Sequence, residues 1–182
     1  MKSCPTLACL TVLCFAVVTA SLRADTRFDP LLAKVPGDAN ALMMLDVPSL
    51  LDTDIADKMG WGTILEMRAQ AKEIAIPPAA TLLVRASHVD LTASQSLWDM
   101  SVMQLKTQPD PAAFAQREGG RTDTIGDAPA VWSPRDFYAL DLGGQTIAAY
   151  APANRQAVTR WYSEVKNRKA AALSPYFTEL TK

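Results

Sequence analysis

Cysteine is confined to the first fourteen residues, at Cys4, Cys9 and Cys14. Disulfides, thiol nucleophiles and thiolate metal sites are therefore excluded from everything downstream. Histidine is almost as scarce, with His88 alone in the chain, so no two imidazoles can share a metal or a proton. No G-x-S-x-G elbow raises a nucleophilic serine. Gly119-Gly120 and Gly143-Gly144 lack the spacing and the following lysine of a phosphate loop, so they read as turns. None of the three asparagines, Asn40, Asn154 and Asn167, begins an N-x-Ser/Thr sequon. Charge of one sign is missing too: 18 cations against 19 anions give a net −1, which makes no general case for nucleic-acid binding.

What is present begins with a secretory signal. Lys2 is followed by an apolar run from Leu7 to Val18 and then by the small-residue stretch Val18-Thr19-Ala20-Ser21-Leu22-Arg23-Ala24, the three regions of a signal peptide. Cleavage after Ala20 and cleavage after Ala24 both fit. The apolar run is shorter than the roughly 20 residues a membrane-spanning helix needs, so no membrane span is expected once residues 1–24 are removed. Lipidation is not expected either, because Cys14 follows Leu13 rather than a small residue and Cys9 comes too early. Removing Lys2 and Arg23 leaves 16 cations and 19 anions, a net −3. A cysteine-free mature domain without sequons points to a bacterial envelope, periplasmic or extracellular, rather than a eukaryotic secretory route.

A mature chain starting at Asp25 has 158 residues, 182 less 24. That length fits one domain, here 25–173, which buries roughly 70% of its unfolded surface. Asp29–Ala33 reads as a short helical turn stopped by Pro36-Gly37. Asn40–Val47 is short, nearly all apolar and bounded by turn residues, which predicts a central buried strand. Ser49 is placed to cap a helix carrying Leu50, Leu51, Ile55 and Met59, with Gly60 as its stop. Thr63 and Glu66 have the spacing of a capping box, predicting a second helix to about Ile74. Thr81–Val89 and Ser96–Lys106 read as strands, the latter with a bulge at Met103.

Asp110-Pro111 opens a helix through Phe114 that Gly119-Gly120 ends. Strands follow at 130–133, 137–142 and 145–151, the last two joined across Gly143-Gly144. Asn154 caps a last long helix whose Val158, Trp161 or Tyr162, and Val165 share a face. This order predicts an α+β fold, mainly an antiparallel sheet with helices on one face, in a split β-α-β, ferredoxin-like arrangement. Ser174-Pro175 begins a further helix over 174–182, as if the chain were an incomplete copy of a longer protein.

Few residues qualify as chemical groups. His88 stands at a strand end, where an ordinary hydrogen bond accounts for it. Asp52, Asp54 and Asp57 are dense enough to suggest a cation site, but on a helix residues 52 and 54 point about 200° apart, so they read as a solvated first turn. Asp46 interrupts an apolar strand and is assigned to capping the following turn. Trp61, Trp98, Trp132, Trp161 and the internal methionines read as core filling. The last helix carries Arg155, Arg160, Lys166, Arg168 and Lys169 against Glu164, a net +4, while residues 25–153 carry ten cations and 17 anions, a net −7. That asymmetry predicts docking of the helix onto the acidic remainder of the same molecule.

Several segments taken together, Val35-Pro36-Gly37-Asp38-Ala39-Asn40-Ala41 with the following Met-Met-Leu-Asp-Val, Met59-Gly60-Trp61, Pro152-Ala153-Asn154-Arg155-Gln156, Arg160-Trp161 and Leu173-Ser174-Pro175-Tyr176, resemble a family of uncharacterised exported proteins of planctomycete bacteria. The resemblance spans most of the mature sequence and brings no catalytic residues with it. It implies export, and it implies further chain after the Ser-Pro-Tyr segment. An uncovered half-core would then be a pairing surface. The function expected is non-catalytic binding or scaffolding in the envelope, with no catalytic, cofactor or metal residues assigned and a protein partner or self-association as the contact. The contrasting expectation is an exported hydrolase using Asp46 or Asp99 near His88.

Overall fold

Local signals start and stop most of the elements. The computed structural model describes residues 26–71, 77–174 and 177; the expected signal segment, 1–24, and nearly all of 174–182 lie outside the described residues. A 3-10 turn, Thr26–Phe28, leads into α1 (Asp29–Leu32), and β1 (Ala41–Asp46) follows. The single helix expected after Ser49 is two, α2 (Val47–Leu51) and α3 (Asp54–Met59). Asp46 caps the first, accepting from the Ser49 amide, and Thr53 caps the second, accepting from the Ala56 amide. Gly60 ends α3 at φ 63° as its type predicts, but the next helix, α4 (Trp61–Gln70), starts directly on it. Thr63 therefore lies inside α4 and makes no cap. The predicted end of this helix at Ile74 falls outside the described residues.

The remaining elements are β2 (Ala80–Asp90), β3 (Gln95–Leu105), α5 (Pro111–Glu118), β4 (Arg121–Ile125), β5 (Ala128–Ser133), β6 (Phe137–Gly143), β7 (Thr146–Ala151) and α6 (Arg155–Val165). Asp110 and Asn154 cap α5 and α6 as expected, each accepting from two amides of the first turn. Gly143 and Gly144 both take positive φ, 79° and 56°, in the β6–β7 turn.

The seven strands form one open antiparallel sheet in the order β1-β2-β3-β7-β6-β5-β4. The fold is thus α+β. A split β-α-β arrangement would insert a strand between β1 and β2; instead these two pair directly, Met44 opposite Val84. The sheet is two meanders joined where β3 meets β7. β1, expected at the centre, is an edge strand, with Met43 and Met44 46% and 43% exposed. Its unbroken apolar run reads as buried on both faces, but at an edge the same residues lack a neighbour on one side.

Helices cover both faces, not one. Val84, Ala86, Met100, Val102, Leu140 and Ala148 pack under α1 and α6. Their strand neighbours Leu83, Met103, Ala139 and Ile147 point the other way, toward α2, α4 and α5. This explains the run Val102-Met103: both residues are buried because both faces are covered, and the pairing shows no register shift there. The bulges of this pair lie near its two ends, between Ala80 and Leu82 and between His88 and Val89. Gly120 lets the chain turn tightly into β4, since a Cβ there would clash with the Trp132 carbonyl oxygen.

Docking of α6 follows the charge asymmetry in part. Arg155 meets Asp123 at 3.2 Å and Lys166 meets Asp127 at 2.6 Å. Arg168 instead donates to the Val35 carbonyl at 2.9 Å, and the Trp161 indole donates to the Lys34 carbonyl at 2.9 Å. The opposite extreme is α4, which buries no residue and leaves Ile64 and Met67 43% and 63% exposed.

Candidate functional site

The carboxylates expected near His88 are not there. Ser87 pairs with Asp99 across β2 and β3, and His88 with Trp98. Because successive side chains on a strand point to opposite faces, Asp99 projects away from His88 and pairs with Arg85 at 3.3 Å. Asp46 sits at the other end of the sheet, opposite Leu82. One of its oxygens accepts from the Ser49 amide at 3.0 Å. The other is shielded from solvent without a well-aligned hydrogen bond, and the Arg27 guanidinium meets it at 2.9 Å. The Ser49 bonds foremost, with help from Arg27, hold this carboxyl below the usual carboxylate range. Asp54 and Asp57 occupy the first turn of α3. Among the described residues no group of three or more His, Asp or Glu side chains converges to hold a metal.

The carboxylate that does reach His88 is Asp38, in the Pro36-Gly37-Asp38 turn. Its Oδ2 lies 3.3 Å from His88 Nδ1 and 3.3 Å from Trp98 Nε1, which donates to it. From this contact a row of rings crosses the first face of the sheet. His88 stands edge-on to Trp98 at 6.4 Å between centroids, Trp98 stacks on Tyr150 at 6.0 Å, and Tyr150 meets Trp161 of α6 at 5.7 Å. The Trp98–Tyr150 contact is a diagonal one, since Tyr150 directly opposes Met100 on β3. Stacked rings of this kind add about 0.5–1.5 kcal/mol per pair beyond their burial.

Above the row the Pro36–Asp38 turn, the start of β3 and α6 stand apart, leaving a cleft of about 540 Å³, within the range of small-molecule sites. Its rim carries Asp38, Asn154, Arg160 and Glu164, and Leu97 and Pro152 contribute apolar surface. Tyr150 lines it while only 6% exposed. Among the described residues its hydroxyl has no hydrogen-bond partner, in contrast to the buried tyrosines Tyr138, which donates to Asp123, and Tyr162, which donates to Asp127. Burial foremost, then the charges of Asp38 and Glu164, raise the Tyr150 pKa above its ordinary value, against the lowering effect of Arg160. Arg160 and Glu164 are exposed and take part in none of the ion pairs that dock α6.

A second cavity, of about 270 Å³, lies on the opposite face beside α5, floored by Met103, Leu105, Phe137 and Ile147. Its charged groups are already engaged. Glu118, 7% exposed, is held by Arg117 at 3.2 Å and Arg135 at 3.4 Å. Arg117 also covers the Phe114 ring at 4.7 Å, and Asp110 is spent on capping α5.

No family model, curated protein or solved structure matches this chain. The cleft therefore rests on its own geometry. Sequence reasoning placed His88, Trp98 and Trp161 but missed Asp38, Tyr150, Arg160 and Glu164 as one group. Their nearness is set by pairing between strands and by the docking of α6, for which no local motif exists.

Proposed function

We propose that this is an exported, non-catalytic binding protein of the bacterial envelope, and that the cleft over Trp98, Tyr150 and Trp161 is where it binds. The observation that carries the reading is Tyr150, a residue only 6% exposed that lines the cleft and whose hydroxyl has no hydrogen-bond partner among the described residues. Among the described residues the buried side-chain polar atom without a hydrogen bond is Asp46 Oδ2, so the Tyr150 hydroxyl keeps contact with the water of the cleft, which a ligand's hydrogen bond would replace. Support for export is the n-, h- and c-region pattern of residues 1–24, together with the resemblance to exported planctomycete proteins.

The contrasting reading is an exported hydrolase, and one contact favours it: Asp38 against His88 Nδ1 is the orienting half of an acid–base pair. Among the described residues no serine or threonine hydroxyl is hydrogen-bonded to the His88 ring. Ser96 donates its hydroxyl to the main-chain carbonyls of His88 and Trp98 rather than to the ring.

Mass spectrometry of the protein recovered from its native envelope, combined with crosslinking and pull-down, tests the binding reading. An N-terminus at Ser21 or Asp25 and a specific captured partner or ligand are expected. A chain still starting at Met1 would contradict export, and hydrolysis abolished by His88→Ala would replace binding with catalysis.

A further inference from the structure

Building on that binding reading, we propose that the cleft is selective for organic cations and takes an alkylammonium group. The chemistry of its free groups points this way. Asp38 uses only Oδ2 toward Trp98 and His88, which leaves Oδ1 open. Glu164, one turn after Arg160 on the same helix, adds a second carboxylate, and the Tyr150 hydroxyl adds a third acceptor. An ammonium group carries three donors and no acceptor, the complement of a cleft whose unengaged oxygens can accept.

Charge separates the alternatives. An anionic ligand would find one guanidinium, Arg160, and two carboxylates at the rim. A neutral ligand would gain nothing from that balance. A cation gains from the one negative charge in excess, by an amount that falls as salt is added because these charges are exposed. A bare metal ion is a poorer match, since among the described residues no three metal-binding side chains converge. The hydrocarbon part of an alkylammonium has its own surface in Leu97, 52% exposed, and Pro152. Arg160 then guards the opening against a second cation and favours ligands with a single positive charge.

The test is a titration of the full chain with three probes of one shape, n-pentylammonium, n-pentanol and pentanoate, and with N-acetylglucosamine as a neutral polyhydroxy probe. Tryptophan fluorescence reports on the cleft through Trp98 and Trp161. Saturable binding of pentylammonium is expected, at least tenfold tighter than pentanol or pentanoate. Glu164→Gln, on an exposed helical position, should weaken it about tenfold, Asp38→Asn similarly, and Asp52→Asn, an equal loss of charge far from the cleft, not at all.

Equal binding of the three pentyl probes, or a Glu164→Gln variant as tight as the parent, would overturn the assignment. Preference for N-acetylglucosamine would overturn it too, yet would leave the cleft a binding site. Silence from all four probes, joined to an empty pull-down from the envelope, would bring down the binding reading as well.

Discussion

The cleft over the aromatic row and the cavity beside α5 lie on opposite faces of one sheet and differ in how their polar groups are spent. Beside α5 the buried Glu118 is clasped by two arginines, and Asp110 is occupied by the helix it caps. Over the aromatic row, Tyr150, Arg160, Glu164 and one oxygen of Asp38 have no protein partner among the described residues. A cavity whose charges are already paired is explained by folding alone. One whose hydroxyl and charges are left unpaired has groups to offer a ligand, and on that ground, more than on size, we read it as the binding site.

That contrast breaks most readily on the groove side. Glu118→Ala should lower stability by about 2 kcal/mol in chemical denaturation, since it leaves two half-exposed guanidinium groups without their buried partner. A neutral outcome would place the groove's charges in the same class as those of the cleft.

Tyr162 sharpens the comparison as a tyrosine that is spent. Its hydroxyl donates to Asp127 at 2.8 Å, and burial foremost, with that bond, pushes its pKa up to about 12. A raised folded pKa means stability that is complete below the unfolded value, about 10, and is lost as pH rises through 12. Stability should therefore fall between those two values, by up to about 2 kcal/mol. In Tyr162→Phe that part of the slope should vanish, whereas in Tyr150→Phe the Tyr162 slope should persist.

The cations of α6 divide in the same way. Lys166→Glu sets a negative charge against Asp127, 2.6 Å from the present ammonium, and should lower the melting temperature measurably. Arg160→Glu should not, because Arg160 makes no ion pair among the described residues. Equal losses would mean that α6 is held by its general charge rather than by particular pairs.

How much of this was legible in the sequence follows from range. Asp110-Pro111 with Gly119-Gly120, and Asn154 before Val158, Trp161, Tyr162 and Val165, marked α5 and α6 because capping and periodicity act within a few residues. Asp46 was read correctly as a cap for the same reason. β4 went unseen because Arg121-Thr122-Asp123-Thr124-Ile125 is polar and buries only Ile125, as an edge strand can when charge protects it. β1, the other edge, was misplaced because it has no such protection: its apolar residues look central. The strand order, and with it the misjudged split β-α-β arrangement and the helices on a second face, depends on contacts between distant segments. The cleft is the extreme case. Asp38 reaches His88 across fifty positions, and Tyr150 is one apolar-looking residue in a strand of alanines until its neighbours are known.

Denaturation of Tyr150→Phe in urea tests the central claim most directly. If the hydroxyl is kept for a ligand and does nothing for the fold, the variant should be as stable as the parent to within about 0.5 kcal/mol, because no hydrogen bond of the fold has been removed. A loss of more than about 1 kcal/mol would show that the hydroxyl has a structural partner, and the cleft would then be as fully spent as the groove.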